Sequence, residues 1–186
     1  MKVLEFRKLT TDDKYDKQFS TWSRIYEYPM VLEMIEKYTP NNDIKIHNSS
    51  WGHQGCHITF KDILEEKFNK VTNTDINTSK IANTGIWDIT QENKEFEAKF
   101  DVVLNVSTVE EVNFNHVTIL ENLLKQVKPN GILICTFDIP GIQLGEIEVF
   151  INKKIKRFNN ELNGSVSIIP NNRYAKLTCG LLVIKK

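Results

Sequence analysis

The chain has 186 residues, 40% of them hydrophobic and 26% charged, which suits one well-buried soluble domain and leaves too little for two. Lys+Arg and Asp+Glu both number 24, so the formal net charge is zero and the basic excess that general nucleic-acid binding needs is missing. No apolar run approaches the roughly 18 residues required to cross a bilayer, and the opening MKVLEFRKLTTDDKYDK lacks the apolar core of a secretory signal.

Residues 1–21 are polar and weakly patterned, and residues 1–24 read as an N-terminal arm leading into a domain at 25–186. Tyr28, Val31, Leu32, Ile35 and Tyr38 fall three or four apart and mark a helix, with Pro29 suited to its first turn and Pro40-Asn-Asn-Asp ending it. Ile44–Ile46 is a short strand, followed by the turn Asn48–Gly55. Phe60, Ile63, Leu64 and Phe68 then form the apolar stripe of a helix over Ile58–Phe68, opposite Lys61, Glu65 and Glu66. Val71–Thr74 is the next strand, with Asp75 at its carboxyl end. Ile86-Trp87-Asp88-Ile89 reads as a third strand and its end, after a linker too short for a full crossover helix.

Phe100–Asn105 is a continuous apolar run of the kind buried on both faces of a sheet. Leu120, Leu123, Leu124 and Val127 mark a helix that stops at Lys128-Pro129-Asn130-Gly131, and Ile132–Phe137 is another buried strand. Ile147, Ile151, Ile155, Phe158 and Leu162 predict a helix over Leu144–Leu162, on which Lys153, Lys154, Lys156 and Arg157 form a solvated basic face. Val166–Ile169 and Cys179–Ile184 are two final strands around Pro170-Asn171-Asn172-Arg173, joined closely enough to be antiparallel. Strands alternating with helices predict a three-layer, doubly wound, mostly parallel α/β sheet with a C-terminal antiparallel strand pair. Three widely spaced cysteines, Cys56, Cys135 and Cys179, make no disulfide framework and fit a cytoplasmic protein with reduced thiols.

In such a sheet ligands sit outside the carboxyl ends of the strands at the switch point. That rim collects Asn48–Gly55, Asp75, Asp88 and Asn105–Ser107. With those residues in place, the chain from about Ile25 onward resembles the class I S-adenosylmethionine-dependent methyltransferases. The resemblance rests on Asp75 closing VTNTD, on Asp88 in WDIT, and on FDVVLNVSTVEEV followed by LLKQVKPNGILICTF. It implies a Rossmann-like methyltransferase fold, S-adenosylmethionine as cofactor and a small-molecule methyl acceptor, such as a sugar or metabolite. It further implies that Asp75, with Ile76, meets the ribose, that Asp88, with Ile89, meets the adenine, and that Asn48, Ser49, Ser50, Gly52, Gly55, Asn105, Val106 and Ser107 complete the cofactor site. Glu110 and Asp138 are the catalytic candidates, Glu110 as a general base.

The first turn departs from the family pattern of an acidic residue followed by closely spaced glycines. It reads His47-Asn-Ser-Ser-Trp-Gly-His-Gln-Gly55, with Trp51 where backbone is expected to approach the ligand. A catalytically inactive binding or scaffolding protein with the same fold is therefore the alternative. A nicotinamide-dependent oxidoreductase has the spacing of Asp75 from Gly55 in its favour but lacks G-x-G-x-x-G. His47, His53, Cys56 and His57 crowd the turn, and His53 and His57 stand four apart, as two ligands on one helix face would, but the glutamate of H-E-x-x-H and a second cysteine pair are missing; Cys56 reads as a packed residue of the helix start. Trp22, Trp51 and Trp87 are available to frame an aromatic pocket, with packing the plainer reading for Trp22 and Trp87.

Overall fold

The computed structural model describes residues 1–10, 12–19, 23–39, 41, 43–52, 55–77, 81–139, 144–154 and 178–186. Its elements in chain order are β1 (Lys2–Lys8), α1 (Arg24–Tyr38), β2 (Lys45–Ser49), α2 (Cys56–Lys67) and β3 (Lys70–Asp75). There follow β4 (Thr84–Ile86), β5 (Phe100–Val106), α3 (His116–Gln126), β6 (Val127–Ile139), α4 (Leu144–Lys154) and β7 (Thr178–Lys185). One seven-stranded sheet runs β1-β7-β6-β5-β2-β3-β4, parallel from β6 to β4 and antiparallel where β7 meets β6 and β1. Among the described residues no helix is long and apolar enough to cross a membrane.

Alternate side chains of the central strands feed two cores. Ile46, Val102, Leu104, Ile132 and Ile134 pack against α1 and α2 through Val31, Ile35, Phe60 and Leu64. Val103, Leu133, Cys135 and Phe137 pack on the other face against Ile119, Leu120 and Leu123 of α3 and Ile147 and Ile151 of α4. This is the three-layer doubly wound arrangement expected from the apolar runs of β5 and β6.

The N-terminal stretch is not a loose lead-in over Lys2–Lys8. It is the edge strand beside β7, and a bulge between Val3 and Glu5 explains its weak pattern. Val3 and Phe6 lie three apart yet pack on the same core, while Leu4 packs on the other. The strand is clasped from outside by Arg7, which donates to both oxygens of Asp13 (2.9 and 2.7 Å), and by Tyr38 and Lys37 donating to Glu5 (2.6 and 2.7 Å). β7 thus has both edges paired. The other half of the expected terminal pair, Val166–Ile169, lies outside the described residues, as do Trp22, the end of the helix expected to reach Leu162 and the turn Pro170–Arg173.

Two helix boundaries also differ. α1 begins at Arg24, so Pro29 lies inside the helix and not in its first turn. The carbonyl that Pro29 leaves without an intrahelical donor, that of Ile25, accepts the Asp16 N–H at 2.9 Å. α3 passes directly into β6, and Lys128–Gly131 is an irregular part of that strand rather than a separating turn. Pairing with β5 jumps from Phe100–Val127 to Val102–Ile132, with Asn130 at φ 66°.

Gly180 on β7 faces Phe137 on β6, where a Cβ would lie 2.2 Å from the buried ring. Gly180→Ala is expected to cost about 1–3 kcal/mol by overpacking, read as a lower urea midpoint and largely recovered in the Gly180→Ala/Phe137→Leu double variant.

Candidate functional site

The carboxyl ends of β2, β3 and β5, together with the segments that follow them and β4, enclose a cavity of about 370 Å3. That volume lies in the range of small-molecule sites. Ser50, Gly52 and His57 line it from the first turn, Asp75 to Asn77 from the end of β3, and Trp87 to Thr90 from the end of β4. Val106 at the end of β5 with Ser107 and Thr108 after it, Glu111 of the short 3-10 turn Val109–Glu111 with Val112 after it, and Arg24 of α1 close it.

The first turn holds its shape through Asp75. The Gly52 N–H donates to Asp75 Oδ2 (3.2 Å), while Asp75 Oδ1 accepts from the N–H and side-chain amide of Asn77 (2.9 and 3.2 Å). Gly52 has φ +82°, and a Cβ there would meet the His57 ring at 2.9 Å, so this position tolerates only glycine without rearrangement. Trp51 does not block the cavity. Its side chain is buried and its backbone N–H donates to the Thr74 carbonyl (3.3 Å), and among the described turn residues Ser50 and Gly52 line the cavity.

Asp88 Oδ1 accepts the N–H and hydroxyl of Thr90 (2.9 and 2.8 Å), a local turn that fixes the carboxylate at the end of β4. Ile76, next to Asp75, is 62% exposed and offers an apolar face to the cavity. Ser50 and Ser107 both adopt left-handed backbone, at φ 54° and 41°. Such conformations in residues other than glycine concentrate at functional sites.

Beneath the rim lies a buried ionic group. Glu27 of α1 is fully buried, pairs with Arg24, and accepts from Ser23 Oγ (2.6 Å) and Ser107 Oγ. Burial pushes its carboxyl upward, but the Arg24 charge and the hydroxyls of Ser107 and Ser23 outweigh it and hold the pKa below the ordinary range. Arg24 therefore faces the cavity as a neutralised pair. Beside it, Glu110 turns inward: Oε1 accepts the Asp138 N–H (2.7 Å), and burial, helped by the charges of Glu27 and Asp138, pushes its pKa up to about 8. Asp138 accepts from the Cys179 thiol (3.3 Å) and is also raised, by burial and by Glu27.

Ser50, Gly52, Asp75, Ile76, Asp88, Ile89, Val106 and Ser107 thus come together around one cavity. Asn48, Ser49, Gly55, Asn105, Glu110 and Asp138 are not among its lining residues. Asn48 is buried and donates to Asn73 (3.0 Å), Ser49 and Asn105 are neighbouring buried positions of β2 and β5, and Gly55 caps the start of α2. Glu111, the next residue in the 3-10 turn, occupies the cavity wall in place of Glu110. Trp87, one of the aromatic-pocket candidates, and Thr108 also line the site, and Arg24 and His57 join it without having been singled out for it.

His47 is fully buried among Trp87, Phe96 and Phe100, donates Nδ1–H to Gln126 Oε1 (2.6 Å) and accepts from Thr74 Oγ1 (2.7 Å) at Nε2. Burial lowers its pKa to about 4, so the ring is neutral. His53 lies outside the described residues. Among the described residues no group of three or more His, Cys, Asp or Glu side chains is arranged to hold a metal. Cys56, Cys135 and Cys179 are all free and buried.

No protein-family model and no curated protein matches the sequence. Solved structures do match in shape. The CurJ carbon methyltransferase superposes with TM-score 0.54 at 10% identity over 85% of this chain, which spans about half (52%) of that protein. The Burkholderia thailandensis 1,6-didemethyltoxoflavin-N1-methyltransferase, solved with 1,6-didemethyltoxoflavin and S-adenosylhomocysteine, gives 0.60 at 10% identity, covering 89% of this chain and 80% of that one. The [4+2]-cyclase SpnF gives 0.60 at 10% identity over 97% and 87%. At these identities the likeness establishes the fold: the chain has the Rossmann-like fold of class I S-adenosylmethionine-dependent methyltransferases.

Proposed function

We propose that this protein is an S-adenosylmethionine-dependent methyltransferase acting on a small molecule. The observation that carries the reading is the cavity at the carboxyl ends of the strands, with Asp75 ending β3 and Asp88 just past the end of β4 on its wall, and Ser50 and Gly52 of the first turn beside them. An S-adenosylhomocysteine-bound neighbour of the same fold supports it.

The donor set fits an adenosine. A carboxylate accepts several hydrogen bonds, and Asp75, held by Gly52 and Asn77, lies on the cavity wall as the acceptor for a ribose hydroxyl. Asp88 uses Oδ1 for Thr90, and its second oxygen suits the adenine amine. Ile76 and Ile89 supply apolar surface on either side of such a ring. Ser50, Gly52, Val106 and Ser107 would hold the amino-acid end. When bound, the cofactor supplies a methyl group already activated on a sulfonium sulfur. What remains for the protein is to exclude water and orient an acceptor, with Arg24, Thr108, Glu111 and Val112 forming the remaining wall. Glu110 and Asp138 act in this reading as supports of that wall.

Calorimetric titration of S-adenosylhomocysteine tests the assignment. Asp75→Ala should weaken binding about tenfold or more, the loss of at least one charge-assisted bond. Asp88→Ala should weaken it too, without disturbing the Gly52 turn. Unchanged affinity in both variants would remove the adenosine assignment. The fold shared with SpnF supports a second reading, a non-methylating reaction on the same scaffold. Turnover without release of S-adenosylhomocysteine would identify it.

A further inference from the structure

Glu111 stands on the cavity wall, and the adenosine reading gives its carboxylate no partner. The turn that carries it is well anchored. The Glu111 N–H donates to the Thr108 carbonyl (3.0 Å), the Val112 N–H to that of Val109 (3.4 Å), and Val109 itself is buried in the core that α3 covers. The Glu111 side chain is exposed, and among the described residues its carboxylate makes no hydrogen bond or ion pair.

Sheet order sets which side of the cavity this group occupies. β5 lies between β6 and β2. Thr108 leans toward β2, its hydroxyl donating to the Ser50 carbonyl (3.4 Å). The 3-10 turn then returns toward β6, where Glu110 accepts the Asp138 N–H (2.7 Å). Asp138, raised by burial and by Glu27, also feels the Glu111 charge. Asp75 at the end of β3 and Asp88 past the end of β4 stand on the other side of β2. Glu111 is therefore on the side of the cavity that adenosine leaves open.

The charge there is one-sided. The Arg24 guanidinium is matched by the fully buried Glu27, and no lysine is among the described residues of the wall. Next to Glu111, Val112 gives the cavity apolar surface, and Phe114, two residues on, is 45% exposed.

We infer that Glu111 is a specificity-determining residue, selecting a methyl acceptor that carries an ammonium group on an apolar body. The inference rests on the reading that the cavity takes S-adenosylmethionine. An ammonium beside Glu111 gains a counter-ion, whereas a carboxylate or phosphate meets a like charge with Asp138 behind it.

Calorimetric titration with three probes of similar shape tests it: phenethylamine, phenethyl alcohol and hydrocinnamate, each added to the protein saturated with S-adenosylhomocysteine. Wild type should bind the amine about fivefold more tightly than the alcohol, the upper range for a partly exposed ion pair, and the carboxylate most weakly. Glu111→Gln keeps the size and shape of the side chain. It should bind amine and alcohol alike, with its affinity for S-adenosylhomocysteine unchanged. Equal binding of amine and alcohol by wild type, or no binding of any of the three, would overturn the assignment. So would an amine preference that survives in Glu111→Gln. Loss of S-adenosylhomocysteine affinity in that variant would give the carboxylate to the cofactor's amino group and overturn the acceptor assignment. Wild type that binds no S-adenosylhomocysteine would overturn the cofactor reading, and the amine titration repeated without it still decides whether Glu111 selects a cation.

Discussion

Glu27→Ala is expected to destabilise the protein by about 3–5 kcal/mol, the cost of removing one partner of a buried ion pair. The Glu27 side chain is fully buried and that of Arg24 is 15% exposed. Without Glu27 the guanidinium stands unpaired in the cavity wall, and the hydroxyls of Ser23 and Ser107 lose their acceptor. Ser107, at φ 41°, also loses the tether between its strained turn and α1. The sign of the pH dependence follows from the depressed Glu27 pKa. A carboxyl held below its unfolded value contributes stability that is present above the unfolded pKa and disappears as pH falls through the folded one. Wild type and Glu27→Ala should therefore differ most near neutrality and converge in acid, below the ordinary carboxylate range. Urea unfolding at about pH 7 and about pH 3 measures both points, and a gap that stays constant with pH would contradict the charged-pair assignment.

Glu110→Gln is expected to act in the opposite direction, stabilising the protein at alkaline pH. Burial raises the Glu110 pKa from 4.5 to about 8, so between those values the folded chain keeps a proton that the unfolded chain has released. Stability therefore declines as pH rises through that window and levels off above it. Glutamine keeps the oxygen that accepts the Asp138 N–H and carries its own hydrogens permanently. The gain should be on the order of 3 kcal/mol at about pH 9 and near zero at about pH 4. Parallel unfolding profiles for the two proteins would mean that Glu110 is charged in the folded state. Since Glu111 and Val112 adjoin it on the cavity wall, the same variant should bind ligand with less dependence on pH between neutrality and alkaline conditions.

The layered sheet was readable because β5 and β6 are long apolar runs and because α2 and α3 carry clear stripes. β1 was not, since its bulge puts Val3 and Phe6 on one face and erases the period of two. The start of α1 was hidden for a different reason. Pro29 reads locally as a first-turn residue, and only a distant donor, the Asp16 N–H, allows it a place further in. At the site, Asp75 was legible because it ends β3, and Asp88 because it follows β4 closely, although that strand is Thr84–Ile86 and not the expected Ile86–Ile89.

The rest depended on which way neighbouring side chains turn. Asn48 is spent on Asn73 inside the sheet, and Ser49 and Asn105 are buried within it, because β2 runs further than its apolar residues indicate. Glu110 and Glu111 are adjacent and alike, and only the geometry of the 3-10 turn separates the buried one from the one on the wall. His57 and Arg24 owe their places to Gly52 and Glu27, contacts with no signature in spacing beyond the three-residue step from Arg24 to Glu27. The unusual turn also changes meaning. Its wide glycine spacing and Trp51 read as erosion, yet Trp51 packs inward, and the turn keeps both the backbone of Gly52 and a positioned histidine at the cavity.

The central claim is that this cavity binds S-adenosylmethionine. Calorimetric titration of the wild-type protein with S-adenosylmethionine and with S-adenosylhomocysteine tests it most directly. Saturable binding of both at one site per chain is the expected result; no binding of either at about 1 mM ligand, an affinity floor near 4 kcal/mol, would contradict it.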